Sequence, residues 1–175
     1  MNSNNKDRIL CYTDGGFQSV PDLKCSYGVY MIPECIAESK EGIYKYGIVD
    51  YNKKTSQISE MWAIKVALET LIENEFNKFP VLIISDSQYC INTITKWYKG
   101  WVRKGECDTK QNIELWHKIM GMVRKFKDIE FQWVKGHTNA SDLHSIHNEF
   151  VDGINQVAIG RKTFDKVWKK FNEPN

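Results

Sequence analysis

No stretch of this 175-residue chain approaches the roughly 18 consecutive apolar residues that span a bilayer, which excludes a helical membrane protein. The opening MNSNNKDR lacks the apolar core of a signal peptide. Cysteine is sparse: Cys11, Cys25, Cys35, Cys90 and Cys107 are odd in number, scattered and free of any CxxC pair. That pattern disfavours a disulfide framework or a zinc ribbon and predicts a soluble protein of the reducing cytoplasm. Proline is limited to four residues, with no Pro/Gly-rich linker, repeat or low-complexity stretch, so one domain is expected.

Aromatic residues are plentiful, at six Trp, eight Tyr and eight Phe, and 42% of the chain is hydrophobic, enough for a packed core. The net charge of +2 hides an asymmetry, because residues 1–90 carry −3 and residues 91–175 carry +5. Two basic clusters dominate the second half, KWYKGWVRK (96–104) and RKTFDKVWKK (161–170). Such a distribution suggests an acidic pocket beside a surface that meets a polyanion, against the plainer reading of two solvated helix faces.

Periodicity predicts an α/β fold. RILCYTD (8–14) reads as a strand running into a turn at Gly15-Gly16; SYGVYMI (26–32) and GIYKYGIVDY (42–51) follow as an antiparallel meander. From Ser56 to Phe76 apolar residues recur at helical spacing, and VLIIS (81–85) reads as a strand covered on both faces. Asp86-Ser87 supplies N-cap chemistry for a helix over about 87–96. A basic, glycine-broken segment comes next (97–108), then a helix over about 110–126, a fifth strand at 129–134 and a helix over about 147–159. The expected architecture is a mixed five-stranded sheet, an antiparallel 1-2-3 meander plus parallel strands 4 and 5, flanked by helices.

Four carboxylates fall at the ends of these elements: Asp14 closing strand 1, Glu60 early in the first helix, Asp86 closing strand 4 and Asp152 on the last helix. Parallel strands 1 and 4 open their carboxyl ends on one edge, where helices can add the other two acids. Acids held together repel unless a cation neutralises them, and hard divalent ions prefer such oxygen ligands. Taken singly, Asp86 reads as an N-cap, Glu60 as a helix-start acid, Asp14 as a turn residue and Asp152 as a solvated charge. Taken jointly, they read as a metal site able to drive in-line phosphodiester displacement.

YTDGG (12–16), SEMWAIKVAL (59–68), SDSQYCINTITKW (85–97), NIELW (112–116), WVKGH (133–137) and NEFVDGINQVA (148–158) occur in order. In these segments the chain resembles type 1 ribonuclease H, in its bacterial form with a basic protrusion, from about Ile9 to Ala158. The resemblance implies the ribonuclease H-like fold over residues 1–160; residues 161–175 have no clear counterpart in it and read as a basic extension that packs as an extra helix or widens the substrate surface. It implies that Asp14, Glu60, Asp86 and Asp152 ligate two Mg²⁺ ions, which Mn²⁺ can replace. It further implies endonucleolytic cleavage of the RNA strand of RNA–DNA hybrids, leaving 3′-hydroxyl and 5′-phosphate ends, by a monomer. His137 matches the loop histidine that assists proton transfer or product departure; a histidine beside Gly136 suits that role, though it also reads as a turn residue.

By the same resemblance Gly15, Gly16, Gln57, Gln88 and Asn112 face the hybrid minor groove, where amides can both donate to and accept from a 2′-hydroxyl. Lys96, Trp97, Lys99, Trp101, Arg103 and Lys104 would grip phosphates of the DNA strand, with a small local core as the alternative for the two tryptophans. The chain departs from the family pattern at Gly16, where Ser is usual, and at Ser56-Gln57; both bear on groove contacts rather than chemistry. The interval between His137 and Asp152 is longer than in the bacterial form and contains Asp142, His144 and His147, read as a polar flap or as a second metal site. Two other readings stand beside the hybrid nuclease: a non-cleaving nucleic-acid-binding module, and another two-metal nuclease acting on DNA.

Overall fold

The computed structural model describes residues 8–136 and 141–173. Its sheet has strand order β3-β2-β1-β4-β5, with β1 Ile9–Gln18, β2 Lys24–Pro33, β3 Ile43–Ile48, β4 Pro80–Ser85 and β5 Asp128–Trp133. β1, β2 and β3 pair antiparallel, and β4 pairs parallel to both β1 and β5. The meander and the parallel addition are as the periodicity predicts.

Strand alternation splits the core in two. Ile9, Cys11, Val29, Met31, Val81 and Ile83 face α1 (Ser56–Glu73) and α4 (Ile113–Val123), around the fully buried Trp116. Leu10, Tyr12, Tyr30, Ile32, Leu82 and Ile84 face α5 (Leu143–Ala158) and α6 (Phe164–Asn172). β4 is covered on both faces, which explains why its sequence shows no alternation.

Several boundaries differ from expectation. β1 does not turn at Gly15-Gly16; it runs on to Gln18, with Gly15 opposite Tyr27 and Gly16 opposite Ser26. A glycine pair ordinarily marks a turn, but here the missing side chains admit neighbours. A Cβ on Gly15 would overlap the Glu60 backbone, and one on Gly16 the side chains of Ser26 and Asn155. The segment 97–108 is broken by one glycine and not the other: α2 (Gln88–Asn92) passes through a π-helical turn, Thr93–Trp97, into α3 (Tyr98–Lys104) with Gly100 inside it, and Gly105, at φ +67°, ends α3.

α5 begins at Leu143, earlier than expected, because the Asp142 side chain accepts a hydrogen bond from the Ser145 amide as N-cap. Half of the expected flap is therefore helix. Gly160, at φ +78°, turns the chain out of α5. α6 then lays Val167 and Phe171 on α5, with the Phe171 ring stacked on Phe150 at 4.1 Å. The C-terminal extension is thus a sixth helix in the core of one face.

The second-metal reading of Asp142, His144 and His147 fails on geometry. Asp142 is a cap, the His144 Nδ1 meets the Tyr12 hydroxyl at 2.8 Å, and His147 is fully buried among the rings of Tyr12, Tyr30 and Phe171. Burial, with His144 and Lys40 nearby, pushes the His147 pKa down to about 4. Because the folded value lies below the ordinary value of about 6.5, this contribution is present above pH 6.5 and lost as pH falls through 4. Denaturant unfolding should show a loss of about 3 kcal/mol between pH 7 and pH 4 from this residue. His147→Leu should remove that part of the pH dependence; an unchanged dependence would assign it elsewhere.

Candidate active site

The parallel register of β1 and β4 ends at Thr13 opposite Ser85, so the next residues come side by side: Asp86 just past the end of β4, and Asp14 still inside β1, opposite Gly28 of β2, rather than closing the strand as expected. Glu60 comes from α1, whose start is fixed by the Thr55 side chain accepting from the Ile58 amide at 3.1 Å. The close approach at Gly15 lets α1 lie against β1 and brings Glu60 to the two aspartates. A carboxylate oxygen from each of the three lies within 4.8 Å of the others.

The electrostatics are those of carboxylates crowded together and partly buried. Burial, followed by the charges of Glu60, Asp86 and Asp152, holds the Asp14 carboxyl well above the usual carboxylate range. Glu60 is raised too, by burial and then by Asp86 and Asp152, against a backbone hydrogen bond from Gly15. Its Oε2 is buried with no hydrogen-bond partner among the described residues. Oxygen ligands, mutual repulsion and an orphaned buried carboxylate oxygen together fit a hard divalent cation.

Asp152, on α5, stands at the rim. Its charge is felt by both Asp14 and Glu60, while its Oδ2 lies 3.4 Å from the Lys162 ammonium. Two partners escaped the sequence reading. Asn155 donates to the Asp14 carboxylate from three residues beyond Asp152, and that i, i+3 spacing was the signal available for it. Lys162 follows the Gly160 turn and carried no signal. His137 lies outside the described residues; Gly136 before it is so close to Asp86 that a Cβ would overlap the carboxylate.

Around the acids, Gln57 is exposed in the first turn of α1 and Gln88 is exposed as the first residue of α2. Asn112 holds a left-handed conformation, φ +59°, ahead of α4, with its side chain near the Tyr89 hydroxyl beside Gln88. Lys96, Lys99, Arg103 and Lys104 are all exposed on the α2–α3 rod. The two tryptophans divide. Trp101 packs edge-on to Tyr98 beneath the Lys110 ammonium, whereas Trp97 keeps 43% of its surface exposed.

Residues 6–159 match the family model described as RNase H. A probable ribonuclease H of Acanthamoeba polyphaga mimivirus is 35% identical over 117 residues, 64% of this chain and 51% of that protein, so the match spans about half of that relative. A ribonuclease H of Desulforamulus reducens is 34% identical over 145 residues, covering 78% of this chain and 83% of the relative. Among solved structures, the PFV RNase H domain superposes with a TM-score of 0.67 at 22% identity, covering 86% of this chain and 93% of that one.

Proposed function

Because the chain belongs to the ribonuclease H family, we propose that it hydrolyses the RNA strand of RNA–DNA hybrids endonucleolytically, leaving 3′-hydroxyl and 5′-phosphate ends. The observation that carries this reading is the convergence of Asp14, Glu60 and Asp86 within 4.8 Å where the parallel pairing of β1 and β4 ends. These three residues and Asp152 are the proposed ligands of two Mg²⁺ ions, with Mn²⁺ as a substitute. When bound, such ions activate a water and stabilise the leaving oxygen of an in-line displacement.

The chain's own part is positioning. Asn155 fixes the Asp14 carboxylate by hydrogen bonding, and the Gly15 amide orients Glu60. Asp152, less buried, completes the acidic rim, and His137 is proposed to carry a proton at departure of the product. Gly15 and Gly16 offer backbone without side chains beside the acids, and Gln57, Gln88 and Asn112 present amides to the minor groove and its 2′-hydroxyls. The catalytic unit is proposed to span residues 1–160, in a monomeric cytoplasmic enzyme.

The test is incubation with labelled RNA–DNA hybrid, RNA duplex and DNA duplex, with Mg²⁺ and then with chelator. Cutting of the hybrid's RNA strand alone, abolished by chelation, is expected; cleavage of DNA duplex at a comparable rate would overturn the substrate.

The exposed cations of the α2–α3 rod are proposed to hold the DNA strand, with Trp97 giving apolar surface to its sugars and Trp101 supporting the rod from within. Replacing Lys96, Lys99, Arg103 and Lys104 together by Gln should weaken hybrid binding. It should also flatten the plot of log affinity against log salt by about 3 if each meets one phosphate. An unchanged slope would reject the rod as the grip.

A further inference from the structure

α6 does more than cover the core. A groove of about 790 Å³ runs between α5 and α6, with an apolar floor that includes Phe150 and Phe171. Lys162, Lys166 and Lys170 recur every fourth residue along it, and Lys40 stands in its lining. Its full lining carries five cations against two carboxylates, so the groove is a cationic channel. One of the two acids, Glu149, is already paired with Lys170. Lys166 has no ion pair among the described residues and is exposed.

The channel is continuous with the acidic site. Lys162, at its head, lies 3.4 Å from Asp152. Arg161 beside it is fastened to Gln18 at the end of β1, four residues beyond Asp14. Helix α5 joins the two features, with Asp152 at the acids and Glu149, Phe150 and Gly153 in the groove. The Val167 side chain of α6 fills the space over Gly153, where a Cβ would collide with it.

We propose that the α5–α6 groove binds the phosphates of single-stranded RNA continuing from the hybrid, on the same strand that is cut at the acidic site. This deepens the hybrid-nuclease reading and rests on it. The occupant follows from shape and charge. Axes of packed helices lie about 8–10 Å apart, so the furrow between them is too narrow for a duplex. A row of cations along a narrow furrow suits one phosphodiester strand, its charges on the lysines. RNA is the strand assigned because Lys162, at the head of the groove, lies beside Asp152, a proposed ligand of the ions that act on the RNA phosphate. The nine residues of α6 extend about 13 Å along the groove.

The test uses fluorescence anisotropy in the Asp86→Asn background, with three ligands: a blunt hybrid, the same hybrid with RNA tails, and the same hybrid with DNA tails. RNA tails on both ends should tighten binding several-fold, and DNA tails should not. Lys166→Gln with Lys170→Gln should abolish that increment and lower the salt slope for the RNA-tailed ligand by between about 1 and 2. The charge-matched control, Lys125→Gln with Lys127→Gln on the exposed turn between α4 and β5, should keep it. The assignment is overturned if RNA tails add nothing, if DNA tails add as much, or if the groove variant retains the increment. Failure of the parent to bind even the blunt hybrid would instead remove the hybrid reading itself, and the groove proposal with it.

Discussion

Asp86→Asn is expected to slow RNA-strand cleavage by on the order of 10³-fold or more while the protein stays folded and binds hybrid. The substitution keeps the side chain's shape and removes one charge from a trio packed within 4.8 Å. Its second effect has the opposite sign. In chelator the wild-type acids repel one another, and the carboxyls of Asp14 and Glu60, raised by burial and by their neighbours, resist ionisation. A carboxyl whose folded pKa exceeds its unfolded value contributes stability below the unfolded value that is lost as pH rises through the folded one. Metal-free wild type should therefore lose stability from these two groups as pH rises above about 4. Asp86→Asn should melt at a higher temperature than wild type in chelator, and Mg²⁺ should stabilise it less, since a ligand that binds only the folded state raises stability in proportion to RT ln(1 + [L]/Kd). Thermal unfolding with and without Mg²⁺ reads both effects, and normal turnover by the variant would reject the metal assignment outright.

Gly15→Ala should be the most damaging conservative change in the sheet, costing about 3 kcal/mol in denaturant unfolding. The added methyl would overlap the Glu60 nitrogen and the Ser59 carbonyl carbon, both backbone atoms with no rotamer to yield. The strain can be relieved only by moving α1 away from β1, and α1 contributes Ile58, Met61, Ile64, Leu68 and Leu71 to the core. Any folded variant would carry a displaced Glu60, so its cleavage rate should fall even under conditions where unfolding is negligible. Gly100→Ala is the contrast: nothing lies within 4 Å of its added methyl, and it sits inside α3. Stabilisation by about 0.5–1 kcal/mol is expected there. Equal effects at the two positions would show that the β1–α1 contact does not constrain the fold.

The same pair of glycines shows what was legible in the sequence and what was not. Apolar runs and their periods located every strand, and Asp14, Glu60 and Asp86, read as a group, do converge, because both signals are local. Gly15-Gly16 read as a turn since glycine signals freedom of backbone and absence of bulk alike, and only the approach of α1 and Asn155 distinguishes the two. Gly100 misled in the same way, since it lies inside α3, whereas Gly105 does end that helix. Asp142 looked like a ligand beside two histidines, yet its role is to cap α5, which appears only once the helix start is known. Lys162 was beyond reach, since its approach to Asp152 depends on the Gly160 turn and on how α6 docks. The split between Trp97 and Trp101 likewise required the α2–α3 rod to be drawn before one ring could be seen to face inward.

Asp14 and Asp86 each follow the last matched pair of β1 and β4, Thr13 and Ser85, so the interval between them is inherited from the backbone ladder, whose strands lie about 4.8 Å apart. The sheet thus acts as a ruler for the chemistry. A ruler made of main-chain hydrogen bonds cannot be retuned by changing a side chain, nor does it soften gradually with heat. Catalytic spacing should hold its value up to the transition in which β1 and β4 part, so activity corrected for the folded fraction should stay level across the onset of unfolding.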